Sequence, residues 1–290
     1  TGMISVTNGT CTLPVITSQP TPQSICENTN GDFTVATSAT TPSYQWQRST
    51  DLVTWTNIDI SLAANFSGYT TDNLTVINAL IGWGGLYNVR CVITSLAGCI
   101  INSNPALLTV APMPTVPVIG TITPVTCSVP TASVDLSGLP ASAWTVTMNP
   151  GGITTSGLGT TTTITGIAPG TYTFTVSSGT CTSGSSASVL INPLPTNTWN
   201  GTIWSLGTPT VDQNIVFAGN YSEAVNVLGC GCTLSSGVIT IPSGNSITLK
   251  NAITGSATLT LENNASLIQT DPTAINTASI IAKRNTTPII

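Results

Sequence analysis

Gly237-Val238-Ile239-Thr240-Ile241 recurs twenty residues later as Ala257-Thr258-Leu259-Thr260-Leu261, and Ser246-Ile247 recurs at the same interval as Ser266-Leu267. Each copy holds two short stretches in which apolar and hydroxyl side chains alternate, the pattern of a half-buried β-strand. A period near 20 residues is typical of solenoids, in which each rung buries its inner face only by stacking on the next. The C-terminal part of the chain is therefore predicted to be a β-solenoid.

The repeat continues more weakly along the chain in both directions. Ile215-Val216-Phe217 is the predicted earlier copy, and Ile280-Ile281 is the predicted later one. The alternative is a coincidental similarity among Thr-rich hairpins, because low-complexity strands repeat easily. We expect the solenoid to occupy residues 199–290.

The composition favours β-structure throughout and argues against catalysis. The chain has 290 residues, of which five are basic, ten are acidic and none is histidine, and its net charge is −5. Val and Thr crowd a helix at χ1 but fit a pleated sheet, and no run of ten residues has helical periodicity. Most chemistry at neutral pH uses His, a tuned carboxylate or Lys, so we predict no enzyme, no cofactor and no metal site. The dispersed basic residues also exclude nucleic acid.

Tyr44-Gln45-Trp46-Gln47 and, far downstream, Tyr87-Asn88-Val89 carry a second signal. Their spacing resembles that of the strand C tryptophan and the tyrosine corner of an immunoglobulin-like sandwich. Val35 and Val89 stand where antibody domains have their inter-sheet cysteines. The middle of the chain has some seven short alternating stretches, such as Trp144-Thr145-Val146, and is predicted to be a second, smaller sandwich.

Two proline-rich joints separate the three domains. Closely spaced prolines favour extended, semi-rigid backbone, so we expect an elongated molecule. The predicted divisions are an N-terminal strand segment at 1–13, an immunoglobulin-like sandwich at 14–111, a linker at 112–117, a second sandwich at 118–193, a linker at 194–198 and the solenoid at 199–290.

Eight cysteines without histidine favour disulfides over zinc, whose all-cysteine sites need paired C-x2-C knuckles. Disulfides indicate an oxidising, extracellular setting. The candidates are Cys11, Cys26, Cys91, Cys99, Cys127, Cys181, Cys230 and Cys232. We predict that Cys127 pairs with Cys181 in the second sandwich and Cys230 with Cys232 at the solenoid entrance. In the first sandwich, Cys26 is expected to pair with Cys91 or Cys99 and Cys11 with the other, a choice that the sequence leaves open.

Trp199, Trp204 and Tyr221 lie near the predicted start of the solenoid. A solenoid must cover its first rung, so these aromatic side chains are expected to cap it. The alternative is a ligand platform, because aromatic faces stack on sugar rings.

Four stretches carry a resemblance to a known class of proteins: 44–58, 136–140, 168–174 and 264–269. They resemble the immunoglobulin-like repeats and the solenoid of adhesin-like surface proteins that gliding Gram-negative bacteria of the Bacteroidota type export by type IX secretion. The resemblance implies export across the outer membrane, a role in adhesion or surface coating, and a C-terminal sorting domain that the secretion machinery reads and that is not visible in this sequence. It supplies no catalytic residues.

The expected function is therefore that of a non-catalytic extracellular stalk on a bacterial surface, in contact with surface polysaccharide or neighbouring subunits. One alternative is a filament subunit assembled by strand exchange or end-to-end stacking, because Ile4–Thr12 resembles Phe174–Thr182 but lacks a surrounding domain. A second alternative is an array of carbohydrate-binding modules. No apolar stretch approaches the roughly 20 residues of a transmembrane helix.

Overall fold

The computed structural model describes residues 13–83 and 87–285. Regular structure in these residues is β-strand, apart from two short 3-10 turns at Ile60–Leu62 and Ile81–Trp83. The predicted all-β class is confirmed. The N-terminal part contains β1 (Ile16–Ser18), β2 (Gln23–Cys26), β3 (Gly31–Thr34), β4 (Ala36–Thr37), β5 (Ser43–Ser49), β6 (Thr56–Asn57), β7 (Phe66–Ser67), β8 (Asn73–Val76), β9 (Tyr87–Thr94), β10 (Ile100–Asn102) and β11 (Ala106–Ala111).

The remaining strands follow in the same order. The middle part contains β12 (Val118–Thr123), β13 (Ala132–Ser137), β14 (Trp144–Asn149), β15 (Ile153–Gly157), β16 (Thr161–Ile167), β17 (Gly170–Ser178), β18 (Cys181–Thr182) and β19 (Val189–Ile191). The C-terminal part contains β20 (Thr196–Trp199), β21 (Asn214–Ala218), β22 (Val227–Gly229), β23 (Cys232–Ser236), β24 (Ile239–Ile241), β25 (Ser246–Leu249), β26 (Ile253–Gly255), β27 (Thr258–Leu261), β28 (Ser266–Gln269) and β29 (Ser279–Ala282).

The described chain divides into two compact units. Unit 1 comprises residues 13–117, 138–160 and 174–186. Unit 2 comprises residues 118–137, 161–173 and 187–285. The segment predicted as the second sandwich therefore supplies strands to both units.

Two sheets of unit 1 enclose an immunoglobulin-like core. One has the order β2-β11-β9-β5-β6, with β10 beside β9, and the other has the order β3-β8-β7. Trp46 is fully buried between them with Phe33 and Leu74, and its indole Nε1 donates to the Thr71 carbonyl at 2.9 Å. The Tyr87 hydroxyl accepts a hydrogen bond from the Arg48 side chain at 2.9 Å, and the tyrosine corner stays a prediction.

The middle part of the chain provides one antiparallel sheet to each unit. Unit 1 holds the order β15-β14-β17-β18, and unit 2 holds β12-β13-β16, with β19 paired to the start of β17. In unit 1 the Trp144 indole lies so close to Gly157 that a Cβ there would meet the ring at 2.6 Å. Its Nε1 donates to the Gly159 carbonyl at 2.7 Å. The bare backbone at Gly157 therefore makes room for the tryptophan.

Unit 2 contains the predicted β-solenoid, which has about four turns. Its three faces are parallel sheets with the orders β20-β21-β23-β26, β22-β25-β28 and β24-β27-β29. The first strand, β20, begins at Thr196, within the stretch predicted as a linker. Inward-facing side chains stack from rung to rung and form one continuous apolar core.

The twenty-residue repeat is present in the register of these sheets. Ile239 lies beside Leu259, and Leu259 lies beside Ile280, so the predicted later copy is confirmed. The predicted earlier copy is wrong, because Ile215 stacks on Cys232 in a different face of the solenoid. Each rung has three apolar strands that look alike in sequence, and only the pairing shows which of them are equivalent.

Candidate functional site

Two disulfides of the described residues join consecutive segments of the chain. In unit 1, Cys26 at the end of β2 bonds to Cys181 at the start of β18, across 155 residues, with the Cα atoms 5.6 Å apart. In unit 2, Cys127 bonds to Cys230 across 103 residues. Because disulfides persist in oxidising compartments, these bonds indicate a protein that is not cytoplasmic.

The predicted pairings Cys127–Cys181, Cys230–Cys232 and Cys26 with Cys91 or Cys99 are therefore wrong. Cys232 lies in β23, where it faces the solenoid core and stacks on Ile215. The other predicted pairings are wrong because Cys26 and Cys127 each bond to a cysteine of a later segment, Cys181 and Cys230.

The remaining cysteines differ in state. Cys91 and Cys232 are buried free thiols, and burial raises the pKa of each to about 12. Buried thiols in apolar surroundings are poor nucleophiles, so these two are core residues. Cys99 is disulfide-bonded, and Cys11 lies outside the described residues.

Two charged side chains hold Cys127 on the solenoid in addition to its disulfide. Asp212 accepts a hydrogen bond from the Cys127 backbone N–H at 2.8 Å, and the Lys250 ammonium donates to the Cys127 carbonyl at 3.2 Å. The sequence interpretation missed both residues, although isolated charges in a nearly uncharged chain are a usable signal. The backbone on both sides of the Cys127 Cα is therefore hydrogen-bonded to the solenoid next to the disulfide.

Trp199, Trp204 and Tyr221 form an aromatic cluster with Phe217 in the first turns of the solenoid. Trp199 and Tyr221 are 5% and 1% exposed. The Trp204 ring lies 5.5 Å from Trp199 and 5.2 Å from Phe217, and the Phe217 and Tyr221 rings are 4.9 Å apart. The rings pack on one another, and Trp204 is half-buried, so the cluster has the close packing that the predicted cap needs.

The loop 200–207 covers the outer edge of β20, and a buried amide fixes it there. Asn197 is completely buried; its Nδ2 donates to the Gly207 carbonyl, and its Oδ1 accepts from the Leu206 N–H, both at 2.9 Å. Ser205 closes the edge, because its N–H donates to the Thr198 carbonyl and its hydroxyl accepts from the Thr198 N–H, both at 2.9 Å. The outward backbone groups of Thr198 in the first rung are therefore hydrogen-bonded within the chain.

Two carboxylates that could suggest a metal site serve turns instead. Asp51 accepts hydrogen bonds from the N–H groups of Val53 and Thr54, which together with Ser49 hold its pKa far below the usual range. Asp59 accepts hydrogen bonds from the Ser61 hydroxyl and from the Ser61 N–H, which caps the first 3-10 turn, and these two bonds lower the pKa of Asp59. Residues 13–83 and 87–285 contain no group of three or more His, Cys, Asp or Glu that could hold a metal ion. Within the same residues no helix has the length and hydropathy to span a membrane.

Two arginines of the immunoglobulin-like sheets lie over aromatic rings. The Arg90 guanidinium is 4.3 Å from the centre of the Trp55 ring, and that of Arg48 is 5.1 Å from the centre of the Tyr87 ring. Neither takes part in an ion pair; in the part of the chain that the structure describes, the pair found is Lys283–Glu262. The sequence interpretation treated the basic residues only as dispersed charges and missed these placements.

Comparison with known proteins gives little to add to this geometry. No protein family matches the chain, and no curated protein matches it. Among solved structures, one similar chain is titled "Crystal Structure of Duf (Kirre) D1". It is 14% identical, with a TM-score of 0.28, and the match covers 34% of this chain and 97% of that chain.

Proposed function

We propose that this chain is a non-catalytic structural protein of a bacterial cell surface, a stalk that holds adhesive contacts under tension. The observation that carries the proposal is the placement of the disulfides. Cys26–Cys181 crosses the joint between the first and middle segments, and Cys127–Cys230 crosses the joint between the middle segment and the solenoid. This arrangement suits a stalk, because a bond across a joint limits how far the chain can extend when a domain opens under load.

The two disulfides also interleave, because Cys127 lies inside the loop that Cys26–Cys181 closes and Cys230 lies outside it. A chain pulled apart cannot extend past either bond until the bond is reduced. Stability against unfolding increases with the length of the closed loop, to about 5 kcal/mol for loops of this size. Disulfides confined to single domains would limit the extension of each domain but would leave the joints between them unprotected.

Single-molecule pulling tests the mechanical part of the proposal. When the chain is pulled from handles at Met113 and Asn285, the Cys127–Cys230 bond should prevent the 103 residues that it spans from extending. In the extended chain these residues would add a length of about 350 Å. The double variant Cys127→Ser/Cys230→Ser should release that length, and Cys26→Ser/Cys181→Ser should not, because its bond lies outside the shortest path between these handles. Equal extension of the first variant and the wild type would contradict the proposal.

Surface location and adhesion need a separate test in the cells that make the protein. Protease added to intact cells should remove it, and cells without it should attach less firmly. Recovery of the protein only from the cytosol would overturn the proposal. Electron microscopy of native material addresses the filament alternative, for which regular fibres would be expected. The covered edge of β20 argues against end-to-end stacking at that rung.

A further inference from the structure

We propose that a cavity beside Arg48 binds the carboxylate and ring hydroxyls of a uronic acid unit in an acidic polysaccharide. The cavity has a volume of about 280 Å³ and is lined by Arg48, Ser49, Thr50, Thr54, Thr56 and Tyr87. It lies entirely within unit 1. Its lining combines one fixed cation, one aromatic ring and several hydroxyl groups, a set that matches an anionic sugar.

The guanidinium of Arg48 is held in place by its neighbours. Arg48 lies opposite Thr56 in the β5–β6 pair. Its Nη1 donates to the Tyr87 hydroxyl at 2.9 Å, and its Cζ lies over the Tyr87 ring. The Tyr87 ring in turn packs edge-on against Trp83, with the centroids 6.2 Å apart. Because a guanidinium has five N–H donors, this bond leaves donors for a ligand in an orientation that is already set.

The loop between β5 and β6 presents hydroxyl groups at the rim of the cavity. Asp51 organises this loop, since one carboxylate oxygen accepts from the Val53 N–H at 2.9 Å and from the Thr54 N–H at 2.7 Å. Ser49 adds a hydrogen bond from its hydroxyl to the same oxygen. Thr50 and Thr54 are thus carried on an ordered loop, and their hydroxyls can both donate to and accept from sugar hydroxyls.

The charge of Arg48 is not consumed by the nearest carboxylates. The Asp51 carboxylate is occupied inside its loop, and Asp59 accepts from the Ser61 N–H and hydroxyl. Arg48 does lower the pKa of Asp59, as the smallest of the causes, behind the bonds to Ser61. No described residue forms an ion pair with Arg48. A ligand carboxylate could therefore make the paired N–H···O bonds that a guanidinium favours.

The cavity dimensions favour one sugar unit over a larger ligand. Sites for drug-sized molecules usually measure about 300–1,000 Å³, and this cavity lies just below that range. A hydroxyl-rich rim suits the several hydroxyls of a sugar ring better than a bare anion. The inference gives the surface stalk proposed above a ligand and rests on it for its biological setting, whereas the binding itself can be measured independently.

The test is a titration of the full oxidised chain with a trimer of galacturonic acid, followed by calorimetry and by the NMR signals of the Arg48 side chain. The neutral galactose trimer and acetate serve as comparison ligands. Binding of the acidic trimer should weaken at least about tenfold in Arg48→Gln, since charge-assisted hydrogen bonds are lost, and less in Arg48→Lys. Thr54→Val should weaken it without altering the fold. The matched control is Arg90→Gln, which removes an arginine from the neighbouring strand and should leave binding unchanged.

Several results would overturn the inference. These are an absence of binding by the acidic trimer, equal binding of the galactose trimer, equal binding of acetate, or equal loss in Arg48→Gln and Arg90→Gln. Failure of this test would leave the tension-bearing function intact, because the pulling experiment does not involve the cavity. If Arg48→Gln fails to fold, Arg48→Lys and Thr54→Val decide, and full binding by both would refute the site.

Discussion

Cutting the chain at each proline-rich joint should leave the fragments covalently attached. A protease site inserted after Met113, which is exposed, would divide the 29.6 kDa chain into fragments of about 12 and 18 kDa. Cys26–Cys181 crosses this cut, so denaturing electrophoresis without reductant should show a single species near 30 kDa. Reductant should release both fragments. The double variant Cys26→Ser/Cys181→Ser should release them without reductant.

A second site inserted after Pro193 gives the reciprocal result. The fragments would be about 20 and 10 kDa, and Cys127–Cys230 would hold them together. Here Cys127→Ser/Cys230→Ser should release the fragments, and Cys26→Ser/Cys181→Ser should not. Each double variant thus serves as the control for the other cut. Release from the wild-type chain without reductant at either cut would refute the connectivity, because disulfides confined to single segments predict that outcome.

Three further outcomes are expected. Trp204→Ala should destabilise the solenoid by about 3 kcal/mol because it opens the cap, as measured by denaturant unfolding against the exposed control Val53→Ala, which should be neutral; an equal effect of both would contradict the cap. Tyr221→Phe should be neutral or stabilise by about 1 kcal/mol, since the buried Tyr221 hydroxyl has no hydrogen-bond partner among residues 13–83 and 87–285, and a clear loss of stability in denaturant unfolding would contradict this. Burial raises the pKa of Cys91 and Cys232 from 9.0 to about 12. The unfolded chain therefore loses these thiol protons at a lower pH than the folded chain, so the free energy of unfolding is unaffected by them below pH 9 and falls as the pH rises from 9 towards 12. The difference between the unfolding midpoints at pH 8 and above pH 10 should be smaller in Cys91→Ala/Cys232→Ala than in the wild type, and an equal difference would contradict this.

The solenoid could be predicted from sequence because its signal is local and repeated. Thr240 and Thr260 occupy the same position in the repeat and are paired neighbours in the sheet. The period of the sequence therefore predicts directly which residues of successive rungs pair. Ile215 shows the limit of this reasoning. Its apolar triplet resembles that of β24, yet its inward side chain belongs to another face. A period identifies rungs, but it does not identify the face when all faces have similar residues.

The disulfides could not be predicted because their partners meet only in the folded chain. Cys26 and Cys181 lie in different predicted domains, and spacing contains no information about which sheets adjoin. The assumption that each small domain closes its own bridges gave the wrong pairs. The Arg48 cavity was missed for a related reason, since Tyr87 is 39 residues from Arg48 and was assigned another role.

The scarcity of charge has a structural consequence at the first rung of the solenoid. Exposed strand edges pair with other chains unless charged residues, bulges or a covering segment prevent it. β20 carries no charged residue, so the loop 200–207 must provide the protection. That loop depends on Asn197, whose amide is fully buried and bonded on both sides. Asn197→Leu would keep the volume but leave the Leu206 N–H and Gly207 carbonyl without partners, and the uncovered edge should then cause association that light scattering detects. A variant that remains monomeric would show that this edge needs no cover.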